Sequence, residues 1–213
     1  MTDFEAPFFV KICGLTTLGD ANAAIDSGAS AIGLILAESP RHLSVERALA
    51  IAEATRGRTM RTLVFRDNDE DFILESVEGI GPEAVQIHGH LSDGLLTRLR
   101  DIGAGVIQAL PIGSDEFFDF DESRVDAVLV DGVNPGSGER HPWDELSERH
   151  FKVPVIAAGG LDGATVADVI VATQVWGVDC ASGVESSPGV KDREKVAHFV
   201  EEARTAFERR TTP

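Results

Sequence analysis

Short apolar runs alternate with stretches of helical spacing along almost the whole chain. The runs fall at 9–12, 31–36, 62–65, 84–87, 105–109, 127–130, 155–157 and 178–180. They are brief and continuous rather than alternating, as expected of parallel strands covered on both faces by helices. Between them, 17–27 and 44–55 have the clearest helical spacing, with Ser44 as a candidate N-cap. Helical segments are also expected at 69–78, 92–102, 143–149, 162–173 and 192–209, and at most a turn or two at 114–122. Eight strand–helix units in 213 residues leave about 27 residues per unit, which predicts an α/β fold, a single (β/α)8 TIM barrel over 1–213. Segments such as Gly28-Ala29-Ser30-Ala31-Ile32 and Gly81-Pro82-Glu83-Ala84-Val85 echo one another as passages from helix to strand. The competing architecture is an open doubly wound sheet. It usually has fewer strands, and no dinucleotide glycine fingerprint follows the first strand.

Composition narrows the function classes. Hydrophobic residues at 43% and charged residues at 26% describe a folded globule. No apolar run is long enough to span a bilayer, and the acidic start Met1-Thr2-Asp3-Phe4-Glu5 lacks the pattern of a secretory signal. A cytoplasmic protein is the default expectation. Nineteen basic against 36 acidic residues give a formal charge of −17, which disfavours nucleic acid as a partner. The same charge also suits a salt-tolerant source. An anionic small molecule needs a local site of backbone N–H groups, which works whatever the global charge. Two cysteines far apart form neither a disulfide framework nor a metal spacing.

In a barrel, chemistry gathers at the carboxyl ends of the strands. The first strand runs into Cys13 and the sixth into Asp131. A free cysteine is most often a small buried hydrophobe, and an Asp at a strand end also serves to cap its own loop. Gly132-Val133-Asn134-Pro135-Gly136-Ser137-Gly138 after Asp131 has the composition of a closing loop. Gly159-Gly160 and Ser182-Gly183 follow strands seven and eight, where barrels hold phosphate. A helix near Asp162 and a short one at 185–187 are expected behind them. The plainer alternative is that these glycines only make tight turns. Arg41, in the loop after the second strand, suits bidentate capture of a carboxylate, though an exposed loop arginine needs no role. His88-x-His90 has no third ligand of matching character, so no metal is expected.

Val10-Lys11-Ile12-Cys13-Gly14-Leu15-Thr16 closely resembles the opening motif of the phosphoribosylanthranilate isomerase family. The likeness continues in order through Ser39-Pro40-Arg41, Ala84-Val85-Gln86-Ile87-His88-Gly89, Leu129-Val130-Asp131, Ala158-Gly159-Gly160-Leu161 and Gly177-Val178-Asp179-Cys180-Ala181-Ser182-Gly183-Val184-Glu185. It spans Val10 to Phe199. The resemblance implies a (β/α)8 barrel that isomerises N-(5-phosphoribosyl)anthranilate by an Amadori rearrangement in tryptophan biosynthesis. It implies Cys13 as general base and Asp131 as general acid. It places the phosphate at Gly159, Gly160, Ser182 and Gly183, and the anthranilate carboxylate near Arg41. The furanose oxygen must gain a proton and C2 must lose one, so an acid and a base must flank the ribose. The hydrogen moves within the substrate, so no cofactor or metal is called for.

The chain departs from the family pattern in three places. Pro135-Gly136-Ser137-Gly138 replaces a Gly-Gly-Thr-Gly run, Gln108 stands where a basic residue is common, and His90 where an acidic one is usual. These bear on the anthranilate end, and a paralogous isomerase acting on a related phosphoribosyl arylamine is the nearest alternative. A related histidine-pathway isomerase has Asp in place of Cys13. A non-catalytic binder of a phosphorylated ligand is the alternative from another class, and it has no need of an acid–base pair. The partner expected is a small phosphorylated molecule, the chain being a monomer or weak homodimer. Cys13 and Cys180 are expected to remain free, because adjacent side chains on a strand point to opposite faces.

Overall fold

The structure is a computed structural model that describes Phe4, residues 6–132, Trp143, Leu146 and residues 149–211. Eight parallel strands close into a barrel in chain order. They are β1 (Phe9–Cys13), β2 (Ala31–Ile35), β3 (Met60–Arg66), β4 (Ala84–His88), β5 (Gly105–Pro111), β6 (Ala127–Asp131), β7 (Val155–Ala158) and β8 (Gly177–Cys180). The ring is sealed by β1 pairing with both β2 and β8. The open doubly wound sheet is thereby excluded.

Helices α1 (Leu18–Asp26), α2 (Val45–Thr55), α3 (Glu70–Ile80), α4 (Asp93–Ile102) and α5 (Asp115–Asp119) follow the first five strands. Then come α6 (Val166–Thr173) after β7 and α7 (Arg193–Thr211) near the end of the described chain. Their starts follow from side-chain caps. Thr17, Ser44, Asp69, Ser92 and Ser114 each accept a hydrogen bond from a backbone N–H of the first turn. Of the helix expected at 143–149, Trp143 and Leu146 are helical and buried. Asp144, Glu145, Ser147 and Glu148, and the closing-loop residues 133–138, lie outside the described residues.

Alternation along the strands sorts residues into two shells. Val10, Ile12, Val85, Ile87, Val128, Val130, Val178 and Cys180 belong to the large cluster between barrel and helices. Phe9, Ala31, Met60, Ala84, Ile107, Ala127, Leu129 and Ile156 fill the barrel interior. The interior does not stay apolar towards the carboxyl ends. Lys11, Thr62, Gln86 and Asp179 are buried there, and they form the floor of the site.

Two expectations for the phosphate side need correction. The helix near Asp162 begins only at Val166, because Asp162 Oδ1 accepts hydrogen bonds from the N–H groups of Ala164 and Thr165 and ties off a turn first. The short helix expected at 185–187 is instead strand β9 (Glu185–Ser187), antiparallel to β10 (Val190–Lys191). A three-residue 3-10 turn, Ser182–Val184, precedes it. Glu185 is drawn into this hairpin by side-chain bonds from Arg41 and Lys191, which no local propensity signals.

Candidate active site

One cavity of about 250 Å³ opens at the carboxyl ends of the strands. Cys13, Arg41, Asp131, Gly159, Gly160 and Ser182 all line it, so six of the seven residues singled out from the sequence converge. Gly183 does not line it. Its Cα packs so tightly on the carbonyl of Leu161 that no Cβ fits, which joins the β7 and β8 loops. Gly159 (φ +91°) and Gly160 (φ +68°) both adopt left-handed backbone conformations. A Cβ on Gly159 would run into Asp131 and Gly132.

Cys13 ends β1 and lies opposite Gly33 of β2. A Cβ on Gly33 would press on the thiol at 2.6 Å, so the absence of a side chain there makes room for Cys13. Gly14 (φ +73°) turns the chain sharply, and the Arg41 side chain crosses directly over it. The two glycines explain why the thiol and the guanidinium share one rim.

Cys13 is only 5% exposed, deeper than its placement at a barrel mouth suggested. Burial pushes its thiol up, and Asp179 adds to the rise, against the pull of Lys11 and Lys191. Lys11 lies one inward position below Cys13 on β1. Its Nζ stands 2.7 Å from Asp179 Oδ1, an ion pair whose angle is not that of a hydrogen bond. Burial alone would lower the Lys11 ammonium, but Asp179 and Cys13 hold it above its ordinary value. A fixed cation therefore sits under the thiol, where it favours a thiolate. Asp131, across the cavity at the end of β6, is raised by burial and by the charge of Asp179, against Arg66 and Lys11. The shift favours a proton-bearing carboxyl, as a general acid requires.

Arg41 is spoken for by a carboxylate of the protein itself. Its Nε and Nη2 donate to Glu185 Oε1 and Oε2 at 2.7 and 2.8 Å. Lys191 Nζ donates to Glu185 Oε1 at 2.9 Å and to the Ala181 carbonyl at 2.7 Å. Burial alone would raise Glu185, but these two cations hold it below the usual carboxylate range. The guanidinium keeps its outer fork of N–H groups for a ligand.

Arg66 belongs to no sequence motif, and His88, part of the 84–89 motif and of His88-x-His90, takes no role from the sequence. Arg66 and His88 end β3 and β4, paired in register, and both face the cavity. His88 Nε2 contacts Gln86 Nε2 at 2.8 Å, and Nδ1 lies 3.4 Å from Arg66 Nη2. With Arg66 donating to Nδ1, the imidazole carries its proton on Nε2. A Gln86 amide turned end for end then accepts it through Oε1, which otherwise lacks a partner. Burial, with Arg66 and Lys11 nearby, pushes His88 down to about 4 and keeps it neutral. Gln108 points outward from β5, and with His90 it borders a separate side depression. These two departures from the family pattern therefore lie away from the central cavity, while Ser137 is outside the described residues. The same alternation places Cys180 outward, its Sγ donating to the Leu161 carbonyl at 3.0 Å, and both cysteines are free. No cluster of metal-ligating side chains occurs among the described residues.

A family model described as N-(5'phosphoribosyl)anthranilate (PRA) isomerase matches residues 10–202. The N-(5'-phosphoribosyl)anthranilate isomerase of Natronomonas pharaonis is 37% identical over 204 residues, covering 91% of this chain and 97% of its own. The crystal structure of TrpF from Jonesia denitrificans superposes with a TM-score of 0.84 at 32% identity, over 93% and 98% of the two chains. A phosphoribosyl anthranilate isomerase in complex with reduced 1-(o-carboxyphenylamino)-1-deoxyribulose 5-phosphate gives 0.80 at 27%, over 93% and 99%. An eight-stranded barrel with Cys13 and Asp131 lining one cavity, matched along nearly its full length, leaves one assignment: the chain belongs to the N-(5'-phosphoribosyl)anthranilate isomerase family.

Proposed function

We propose that the chain is an isomerase that converts N-(5'-phosphoribosyl)anthranilate into 1-(2-carboxyphenylamino)-1-deoxyribulose 5-phosphate, in tryptophan biosynthesis. The observation that carries this reading is that Cys13 of β1 and Asp131 of β6 line one cavity together with Gly159, Gly160 and Ser182. In this reading the phosphate rests on the loops after β7 and β8 and orients the ribose between the two groups. Asp131 gives its proton to the furanose oxygen. The C1–O bond breaks as the nitrogen lone pair forms the C1=N bond of a Schiff base. The Cys13 thiolate then takes the proton from C2, the electron pair flows to nitrogen, and the enolamine settles to the aminoketose. Lys11 lowers the cost of the thiolate without touching substrate. Arg41, braced by Glu185, turns its outer fork to the anthranilate carboxylate.

The test is the loss of fluorescence of chemically generated N-(5'-phosphoribosyl)anthranilate on adding purified protein. Saturable binding of the phosphate ester with no turnover would establish a binder instead. We further infer a monomer or weak homodimer acting in the cytoplasm. Supporting this, the large exposed hydrophobic residues among those described are scattered, as Leu18, Ile102, Phe118, Val171 and Val190. No helix among the described residues is long and apolar enough to cross a membrane.

A further inference from the structure

We propose that Arg66, at the end of β3, is a second specificity-determining residue that joins Arg41 in binding the carboxylate at the aryl end of the substrate. The inference rests on the isomerase reading above and adds to it a residue that no family motif marks. The substrate is elongated, with a phosphate at one end, a ribose in the middle and an aryl carboxylate at the other. In a closed ring of eight strands in chain order, β3 and β4 lie four places from β7 and β8, directly across the mouth. A molecule with its phosphate on the β7 and β8 loops and its ribose between β1 and β6 therefore points its far end at Arg66 and His88.

The chemistry found there is that of a carboxylate site. Arg66 is exposed to the cavity and has no acidic partner among the described residues. The contrast with other cations is sharp. Lys11, Arg41 and Lys191, the other cations at this mouth and beneath it, are paired with acids, whereas elsewhere Arg47, Arg100 and Lys195 bond backbone carbonyls. In a chain of net charge −17, a cation without an ion-pair partner at a cavity mouth gives that mouth a local positive potential that favours an anionic group. Its one side-chain hydrogen-bond contact is His88, which is neutral and does not repel it, and its charge also reaches Asp131 without forming an ion pair. The strand end is also held in place. Asn68 Oδ1 accepts from the Arg66 N–H at 2.9 Å, and Asp67 turns the chain away at φ +55°. Arg41 has its inner fork closed on Glu185, whereas Arg66 engages only Nη2, on the neutral His88 ring, and keeps its other donors open.

The probes are reduced 1-(2-carboxyphenylamino)-1-deoxyribulose 5-phosphate and its counterpart made from aniline, which lacks the carboxylate. Calorimetric titration gives the ratio of their Kd values for the wild type, Arg66→Met, Arg66→Lys and Arg41→Met. The wild type is expected to prefer the carboxylated ligand, and Arg66→Met to cut that preference about tenfold or more, the scale of a charge-assisted pair. Its affinity for the aniline ligand should hold within about threefold, and Arg66→Lys should keep part of the preference. Because the readout is a ratio within one protein, partial loss of stability cancels. An Arg66→Met protein with the wild-type ratio overturns the assignment, as does a loss confined to Arg41→Met. A wild type that binds both ligands equally overturns the assignment alone. A wild type that binds neither and turns over no substrate removes the isomerase reading, and the assignment with it.

Discussion

Cys13 and Asp131 are both displaced toward their protonated forms by burial, yet the proposed mechanism needs one protonated and the other ionised. The working state is thus thiolate with carboxylic acid, a minority form when the carboxyl is the stronger acid of the two. Its population rises with pH until Asp131 titrates, stays level, and falls once Cys13 has ionised. The profile of kcat/KM against pH should therefore be bell-shaped and belong to the pair. Its acid limb should lie above the ordinary Asp value of about 3.9 and its alkaline limb above the ordinary thiol value of about 8.5. An alkaline limb below that thiol value would mean that Lys11 outweighs burial, contrary to the structure. Cys13→Ser and Asp131→Asn should each lower turnover by at least about a hundredfold while circular dichroism and melting stay near wild type. Either variant retaining most of its activity would reassign that proton transfer. Both residues were legible in the sequence because each closes an apolar run. Lys11 and Asp179 were not, because a charge inside an apolar strand declares itself only when the ring brings the two together.

At the scale of elements, the β9–β10 hairpin is the part that sequence patterning misread. Three residues of mixed character at 185–187 carry no period, so their conformation is decided by what Glu185 reaches. Lys191 is buried and depends on Glu185 for its counter-charge. Glu185→Ala should cost about 3–5 kcal/mol, the usual penalty for stranding a buried charge, and lower Tm by several degrees. In a cycle with Glu185→Ala and Lys191→Met, the double variant should lose less than the sum of the two single losses, and strictly additive losses would show that the pair is not coupled. The folded state holds the Glu185 carboxyl below its unfolded value of about 4.3. Its contribution is then present above that pH and is lost as pH falls through the lower folded value. A companion effect is expected at Gly33→Ala, which should displace the Cys13 thiol and cut kcat far more than it lowers Tm. The caps at Thr17, Ser44, Asp69, Ser92 and Ser114 act locally, which is why most helix starts were legible to within a residue or so.

For the whole molecule, ring closure leaves the barrel no free strand edge for another chain to pair with. The net charge of −17 works against compactness through self-repulsion, and salt screens it. Tm should rise by several degrees between about 10 mM and 0.5 M sodium chloride, with the Debye length falling from about 30 Å to below 10 Å. Scanning calorimetry checks this, and a flat or falling Tm would show that local ion pairs outweigh the global field. Sedimentation velocity over the same range should show a monomer, or a dimer that dissociates on dilution.

The sequence by itself determined the number and order of strand–helix units, and hence the barrel. Each unit is specified by apolar runs, caps and turns within a few residues of one another. It also marked Cys13, Asp131 and the loops after β7 and β8, because in a barrel strand ends lie at one mouth whatever their separation in the chain. Only the tertiary structure decided which charges meet. Lys11 with Asp179, Arg41 with Glu185, and Arg66 across from the β7 and β8 loops are relations between strands far apart in the chain, fixed by register and ring closure. Local propensity carries no information about such pairs, since their energies arise from burial and Coulomb interaction that exist only once the ring has closed.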